Sequence, residues 1–363
     1  MRKYLLLVFC LTAVYGYAQK DSYKTIDSIV SNAAGNHRMS AVILIAEKGK
    51  VTYEKAVGYR EFVGQLPLQT TDVFELASVS KQFTAMVIMM LKERGLLQYD
   101  DLVEKYLSIP YKGITIRNLL THTSGLPDYQ EIMDAHWDKS KVAGNPDILA
   151  YLNQYAPPKL FEPGEKYAYS NTGYVLLASI AEKVSGRDFI EFCNKEIFRK
   201  LGMKHTGIRT LAEKAAVKNF AIGHIFVKER NEFVRADSFP SSDYTIWLGN
   251  RKGPGRISST VRDLLKWDQA LYTEKLVSQA TLAEAFTPMV LKNGKISNYG
   301  FGWIPITDDP SGRIVWHNGD NPGYKTEIMR FIDQQKTLII LCNNASDQFE
   351  NIIKQIRFQL TRQ

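Results

Sequence analysis

The 363 residues are 45% hydrophobic and 23% charged, enough for one large globular domain or two moderate ones, and the net charge of +8 is scattered along the chain. No dense basic run or aromatic-interleaved basic motif supports nucleic-acid binding, and no run after the N-terminus approaches the length of a bilayer span. Three cysteines are too few for a disulfide framework.

Arg2 and Lys3 precede the apolar stretch Tyr4 to Val14, and Gly16-Tyr17-Ala18 puts small residues where a signal peptidase reads. Residues 1–18 are therefore expected to be a signal peptide, cleaved after Ala18. The mature protein is expected to be exported, periplasmic or secreted, with no stable membrane span left. Phe9 before Cys10 argues against lipoprotein-type processing. That leaves Cys193 and Cys342, which could pair in an oxidising compartment, although two buried thiols are the simpler expectation. The six histidines, His37, His122, His136, His205, His224 and His317, show no paired metal-ligand spacing, so neither a metal nor any other cofactor is expected.

Ala41 to Ala46 is a Val/Ile-rich strand, Lys48-Gly49-Lys50 a turn, and Val51 to Tyr59 a second strand. Phe83, Met86, Val87, Met90 and Leu91 then carry a helical period. After Tyr99-Asp100-Asp101 the pattern shifts to shorter helices, at Ile116 to Leu120, Asn145 to Tyr155 and Val175 to Val184, with one more beginning at Asp188. Pro157, Pro158, Pro163 and Gly164 break this region. Lys214 to Gly255 mixes aromatics with polar loop and forces no element. Ser258 to Leu271 has a capped helical start at Ser259-Thr260. Strands are expected at Gly300 to Ile306, Arg313 to Trp316, Thr326 to Ile332 and Thr337 to Asn343, and a closing amphipathic helix at Phe349 to Leu360. Strands at both ends around a helical middle predict an α+β fold: an antiparallel sheet built from N- and C-terminal segments, flanked by helices. The expected division is residues 19–98 with 256–363 for the sheet and 99–255 for an inserted, mostly helical region.

Ser78-Val79-Ser80-Lys81 opens the first long helix, and a spacing of three puts Lys81 on the face of Ser78. A serine hydroxyl needs a base to become a nucleophile, and a desolvated lysine can be one. Such a pair also arises by chance, with the serine as an ordinary N-cap and the lysine solvated. Partner motifs decide between the two.

Those partners are Tyr169-Ser170-Asn171 and His317-Asn318-Gly319. Together with Ser78-Val79-Ser80-Lys81 they stand in the order of the three motifs of the serine β-lactamase-like family, which includes class C β-lactamases, D-alanyl-D-alanine carboxypeptidases, D-aminopeptidases and esterases. The stretches Ile116 to Leu126, Phe161-Glu162-Pro163-Gly164 and Tyr299-Gly300-Phe301-Gly302-Trp303 also resemble this family, so the likeness runs from about Ala41 to Asn343. Two rivals exist: Tyr151-Leu152-Asn153 lies in a helical pattern, and His205-Thr206-Gly207 has no strand before it. His122 reads as a hydrogen-bonded loop histidine rather than a general base.

The resemblance implies a β-lactamase/transpeptidase-like fold and acyl transfer. In that scheme Ser78 is the nucleophile, Lys81 and Tyr169 share its proton, and Asn171 positions Lys81 and the substrate amide. The backbone amides of Ser78 and Asp320 form the oxyanion hole, and Gly319 permits close approach. Class C β-lactamases place Lys and then Thr or Ser where this chain has His317 and Asn318. A neutral histidine and an amide suit a β-lactam carboxylate less well. The expectation is an exported serine hydrolase acting on a small ester, amide or D-amino-acid peptide. A β-lactamase and a penicillin-recognising sensor that acylates without turnover are the alternatives. The expected partner is a small-molecule or peptide substrate, and oligomeric state is left open.

Overall fold

A computed structural model describes residues 22–35 and 39–361. The expected signal peptide and Cys10 lie outside the described residues.

Helix α1 spans 22–35. It is followed by the hairpin of β1 (Ala41–Glu47) and β2 (Lys50–Val57), whose turn takes positive φ at both Lys48 and Gly49. A 3₁₀ turn over Ala77–Ser80 leads without a break into α2 (Lys81–Glu93). The middle of the chain contributes α3 (Asn171–Ser185) among shorter helices, including Tyr129–His136 and Asn145–Tyr155. Then come α4 (Val261–Ala270), strands β3 (Ile304–Ile306), β4 (Ile314–Asn321), β5 (Tyr324–Phe331) and β6 (Lys336–Cys342), and α5 (Phe349–Thr361).

The main sheet runs β3-β4-β5-β6-β1-β2 and every pairing in it is antiparallel. N- and C-terminal strands meet between β1 and β6, where Ala41 faces Cys342 and Glu47 faces Lys336. Being central, β1 is buried on both faces, which is why its run is apolar without alternation. One face, with Ala41, Ile43, Ile45, Met329 and Ile340, is covered by α1 and α5. The opposite face, with Val42, Leu44, Val315, Ile328 and Leu341, packs against α2, α3 and α4 in one continuous apolar cluster.

Several boundaries differ from those expected, each for a local reason. Ser258 and Ser259 are not helical; Ile257–Ser259 is the centre of a three-stranded sheet with Phe74–Glu75 and Gly207–Ile208. Thr260 caps α4 by accepting the Asp263 amide. Helix α3 starts at Asn171, four residues early, because Ser170 Oγ accepts the Gly173 amide and caps it. Strand β4 runs on to Asn321, through His317-Asn318-Gly319, while only Ile304–Ile306 of the expected 300–306 strand is paired. Cys193 and Cys342 are free, buried thiols.

Candidate active site

The three-stranded sheet delivers the chain to Ser78. Leu76 donates its amide to the Ile257 carbonyl (2.8 Å), and Ser80 Oγ accepts the Ile257 amide (3.1 Å), so the segment is pinned on both sides of Ser78. Ala77 between them has φ +48°, a conformation that costs a non-glycine residue roughly 1 kcal/mol and marks a backbone held by its surroundings. Ser78 then lies in the first turn of the continuous helical segment, where amide dipoles favour developing negative charge.

Lys81 is fully buried. Its Nζ lies 3.1 Å from Ser78 Oγ, 2.9 Å from Asn171 Oδ1 and 3.0 Å from the Pro254 carbonyl. It has no carboxylate partner at ion-pair distance among the described residues. Burial, reinforced by the Arg251 charge, holds its pKa well below the ordinary lysine value, against a weaker opposing pull from Asp128. Burial thus biases Lys81 toward the neutral amine, and its Nζ donates to two fixed carbonyls while facing the Ser78 hydroxyl.

Tyr169 comes just before the α3 cap, in the strand-like segment that the Pro163-Gly164 break releases. Tyr169 is 43% exposed, and its phenol lies close enough to Ser78 to feel the serine hydroxyl. Burial raises its pKa above the ordinary phenol value, so it rests protonated. Lys81 Nζ lies 4.7 Å from the centre of the same ring. Ser78, Lys81, Tyr169 and Asn171 thus converge. Asp320 joins Ser78 in lining one cleft, as an oxyanion role for both amides requires, and its carboxylate is bound by Lys325 at 2.8 Å.

The third motif behaves differently from expectation. His317 is buried, with Nδ1–H donating to the Asn318 carbonyl (2.5 Å) and Nε2 accepting from the Tyr299 hydroxyl (2.7 Å). Both ring nitrogens are therefore spent within the protein. Burial, the largest cause, lowers its pKa, so it is neutral. Asn318 pairs in register with Glu327, on the sheet face covered by α5 and opposite to the face of His317. In this structure both ring nitrogens of His317 have protein partners, and the strand register puts Asn318 on the opposite face of β4. At Gly319 a Cβ would lie 2.3 Å from the Leu76 carbonyl, so the glycine lets β4 close against the segment that bears Ser78.

The rivals have structural employment elsewhere. Asn153 bonds the Ser108 and Leu149 carbonyls, and Tyr151 the His136 carbonyl. The His205 amide bonds Asp263. His122, with φ +57° and no exposure, accepts the Ser170 amide at Nδ1 (3.0 Å) and packs at a 37° tilt against the Tyr169 ring, centroids 4.2 Å apart. It orients the tyrosine and is held neutral by burial.

Pro254, Arg251, Tyr129 and Tyr299 were not among the expected site residues. Tyr299 lay in a stretch that resembled the family, but its bond to His317 is a tertiary fact. Pro254 and Arg251 fall in the 214–255 stretch, where no periodicity marks them. Among the described residues no group of three or more His, Cys, Asp or Glu could hold a metal ion.

A sheet covered by helices on both faces, with a Ser-x-x-Lys pair at the head of a buried helix and Tyr-x-Asn across from it, defines a serine acyl-transfer scaffold. Residues 26–360 match the family model described as Beta-lactamase, and the chain belongs to that family of serine acyl-transferring hydrolases. It is 40% identical over 339 residues to penicillin-binding protein 4* of Bacillus subtilis, covering 92% of this chain and 75% of that one. The octameric penicillin-binding protein homologue from Pyrococcus abyssi superposes with a TM-score of 0.80 at 28% identity, over 93% of this chain and 77% of the other. The D-amino acid amidase from Ochrobactrum anthropi shares the fold, with a TM-score of 0.76 at 22% identity, over 94% and 99% of the two chains.

Proposed function

We propose that this chain is an exported serine hydrolase that works through an acyl-Ser78 intermediate on a small ester, amide or D-amino-acid peptide. The observation that carries it is Lys81: a buried amine with two fixed carbonyl acceptors and Ser78 Oγ in its third direction. In this reading Lys81 takes the Ser78 proton as Oγ attacks the carbonyl. The oxyanion falls between the amides of Ser78 and Asp320, each worth about 3 to 4 kcal/mol in comparable sites. Tyr169 gives its proton to the leaving group and regains one from Lys81 across Ser78. A water then attacks the acyl-enzyme, losing its proton to the same pair as Ser78 leaves.

A β-lactam is a poorer match, since His317 has no free donor for a substrate carboxylate. The likeness to a penicillin-binding protein favours one other reading, a receptor that acylates without turnover. A panel of a chromogenic cephalosporin, a short-chain 4-nitrophenyl ester and D-alanyl peptides, run beside Ser78→Ala, tests both. Multiple turnovers lost in the variant are expected. Full activity in Ser78→Ala would sink the acyl-serine mechanism, whereas a stoichiometric burst with a stable mass adduct would establish the receptor.

A further inference from the structure

The cleft beside the nucleophile is lined by Ser78, Asn171, Tyr244, Arg251, Arg256 and Asp320, among others. Arg251 is held at one end only. Its Nη1 donates to the Tyr129 hydroxyl (2.7 Å), while its enclosed Nε has no partner, and Nη2 has no protein acceptor among the described residues. Elsewhere in this molecule that same Nε/Nη2 edge grips a carboxylate. Arg262 holds Glu54 at 2.7 and 2.6 Å through it, and Arg313 holds Asp333 at 3.0 and 2.6 Å. In Arg251 it is Nη2 that is left for a ligand, and it can donate a charge-assisted hydrogen bond to an anion.

The charge around it points the same way. Arg256 is buried and donates to a neutral acceptor, the Arg209 carbonyl. Glu75 acts on both arginines and Glu213 more weakly on Arg256; Glu75 is committed to Lys214 at 2.7 Å, with both side chains nearly enclosed, and Glu213 caps its own helix at Thr210. Asp320 is committed to Lys325. The local balance is an excess of positive charge behind the scissile carbonyl, in a low-dielectric wall where it acts strongly. Tyr169 and His317 are not among the residues lining this cleft. If Tyr169 protonates the leaving group, that group departs on its side, and the Arg251 side receives the acyl portion.

Resting on the acyl-Ser78 reading, we propose that Arg251, backed by Arg256, determines specificity by binding a carboxylate carried on the acyl portion of the substrate. A free ammonium at that position is disfavoured by the same charges, which separates this site from one built for an unmodified amino-acyl group.

Three 4-nitrophenyl esters of similar acyl length test it: the hydrogen glutarate, the neutral pentanoate and the 4-(trimethylammonio)butanoate, each corrected for its rate with hydroxide. Wild type should prefer the carboxylate and handle the cation worst. In Arg251→Gln the carboxylate-to-neutral ratio of kcat/KM should fall about tenfold or more, the loss of one charge-assisted contact. Arg251→Lys should retain most of the ratio. A variant that slows all three esters alike shows an arginine that merely holds Tyr129, and overturns the proposal. So does a wild-type enzyme without the preference, whether or not the variants fold, or one whose preference follows a carboxylate on the leaving group instead. Turnover of all three esters that persists in Ser78→Ala overturns the underlying acyl-serine reading and is thereby distinguished.

Discussion

Burial biases both Lys81 and Tyr169 toward their uncharged forms, since it lowers an amine and raises a phenol. The signs define a pH profile. The base must be unprotonated, so kcat/KM rises with pH through the folded-state pKa of Lys81, which lies well below 10.5. The phenol must keep its proton, so activity falls only above the ordinary phenol value of 10.0. For an activated ester the acid limb is expected below ordinary lysine titration. An acid limb centred near the ordinary lysine value would refute the neutral-amine assignment. Arg in place of Lys81, protonated throughout, should lose on the order of 10² to 10⁴ in rate. Ser78 and Lys81 were legible in the sequence because their relation is local, three residues along one helical segment. Tyr169 and Asn171 were legible through order and through the Pro-Gly break before them. The fates of His317 and Asn318 were not: burial of the imidazole depends on Tyr299, and the side taken by Asn318 depends on strand register with Glu327.

At the scale of elements, the site depends on how closely β4 approaches the turn that bears Ser78. Thr326 Oγ1 donates to the Leu76 carbonyl (2.8 Å), and Gly319 sits against both. A methyl at Gly319 would meet the Leu76 carbonyl and Thr326 Oγ1 at 2.3 Å and Ala77 Cβ at 3.0 Å, two of them parts of a rigid backbone turn. Gly319→Ala should therefore destabilise by about 1 to 3 kcal/mol through overpacking and displace the nucleophile from Asp320. Thermal melts and ester turnover check this, with Gly35→Ala, whose Cβ meets nothing within 4 Å, as the control. Equal melting and turnover in the two variants would remove the packing argument. Helices and hairpins here were readable because their periods and turns are local. The stretch from 214 to 255 was not, since its strands His224–Val227 and Glu232–Arg235 are four residues each and its remaining order comes from distant partners. One of these is the Thr84 hydroxyl bond to the Gly253 carbonyl (2.7 Å), which helps hold Pro254 over Lys81.

Across the whole molecule, one sheet separates two apolar layers, and Glu327 of β5 is buried in the layer under α5 rather than in the layer that holds the site. Its Oε1 has no partner, and the charges that reach it are Arg357, which favours ionisation, and Glu350, which opposes it. Burial outweighs both and pushes its pKa up to about 8. A carboxyl with a folded pKa above its unfolded value of 4.5 adds stability that is fully present below 4.5 and lost as pH rises toward 8, because the native state holds a proton that the unfolded chain releases. Glu327→Gln keeps the shape and has no proton to lose. Its melting temperature should therefore exceed that of the wild type by a few degrees at pH 8, the equivalent of about 1 to 3 kcal/mol after solvent relaxation, and the gap should close toward pH 5. A gap that is constant between the two pH values would mean that Glu327 finds a counter-charge in solution. Ester turnover normalised to folded protein should stay unchanged in this variant, since β5 stands between Glu327 and Ser78 and the carboxyl faces the other layer.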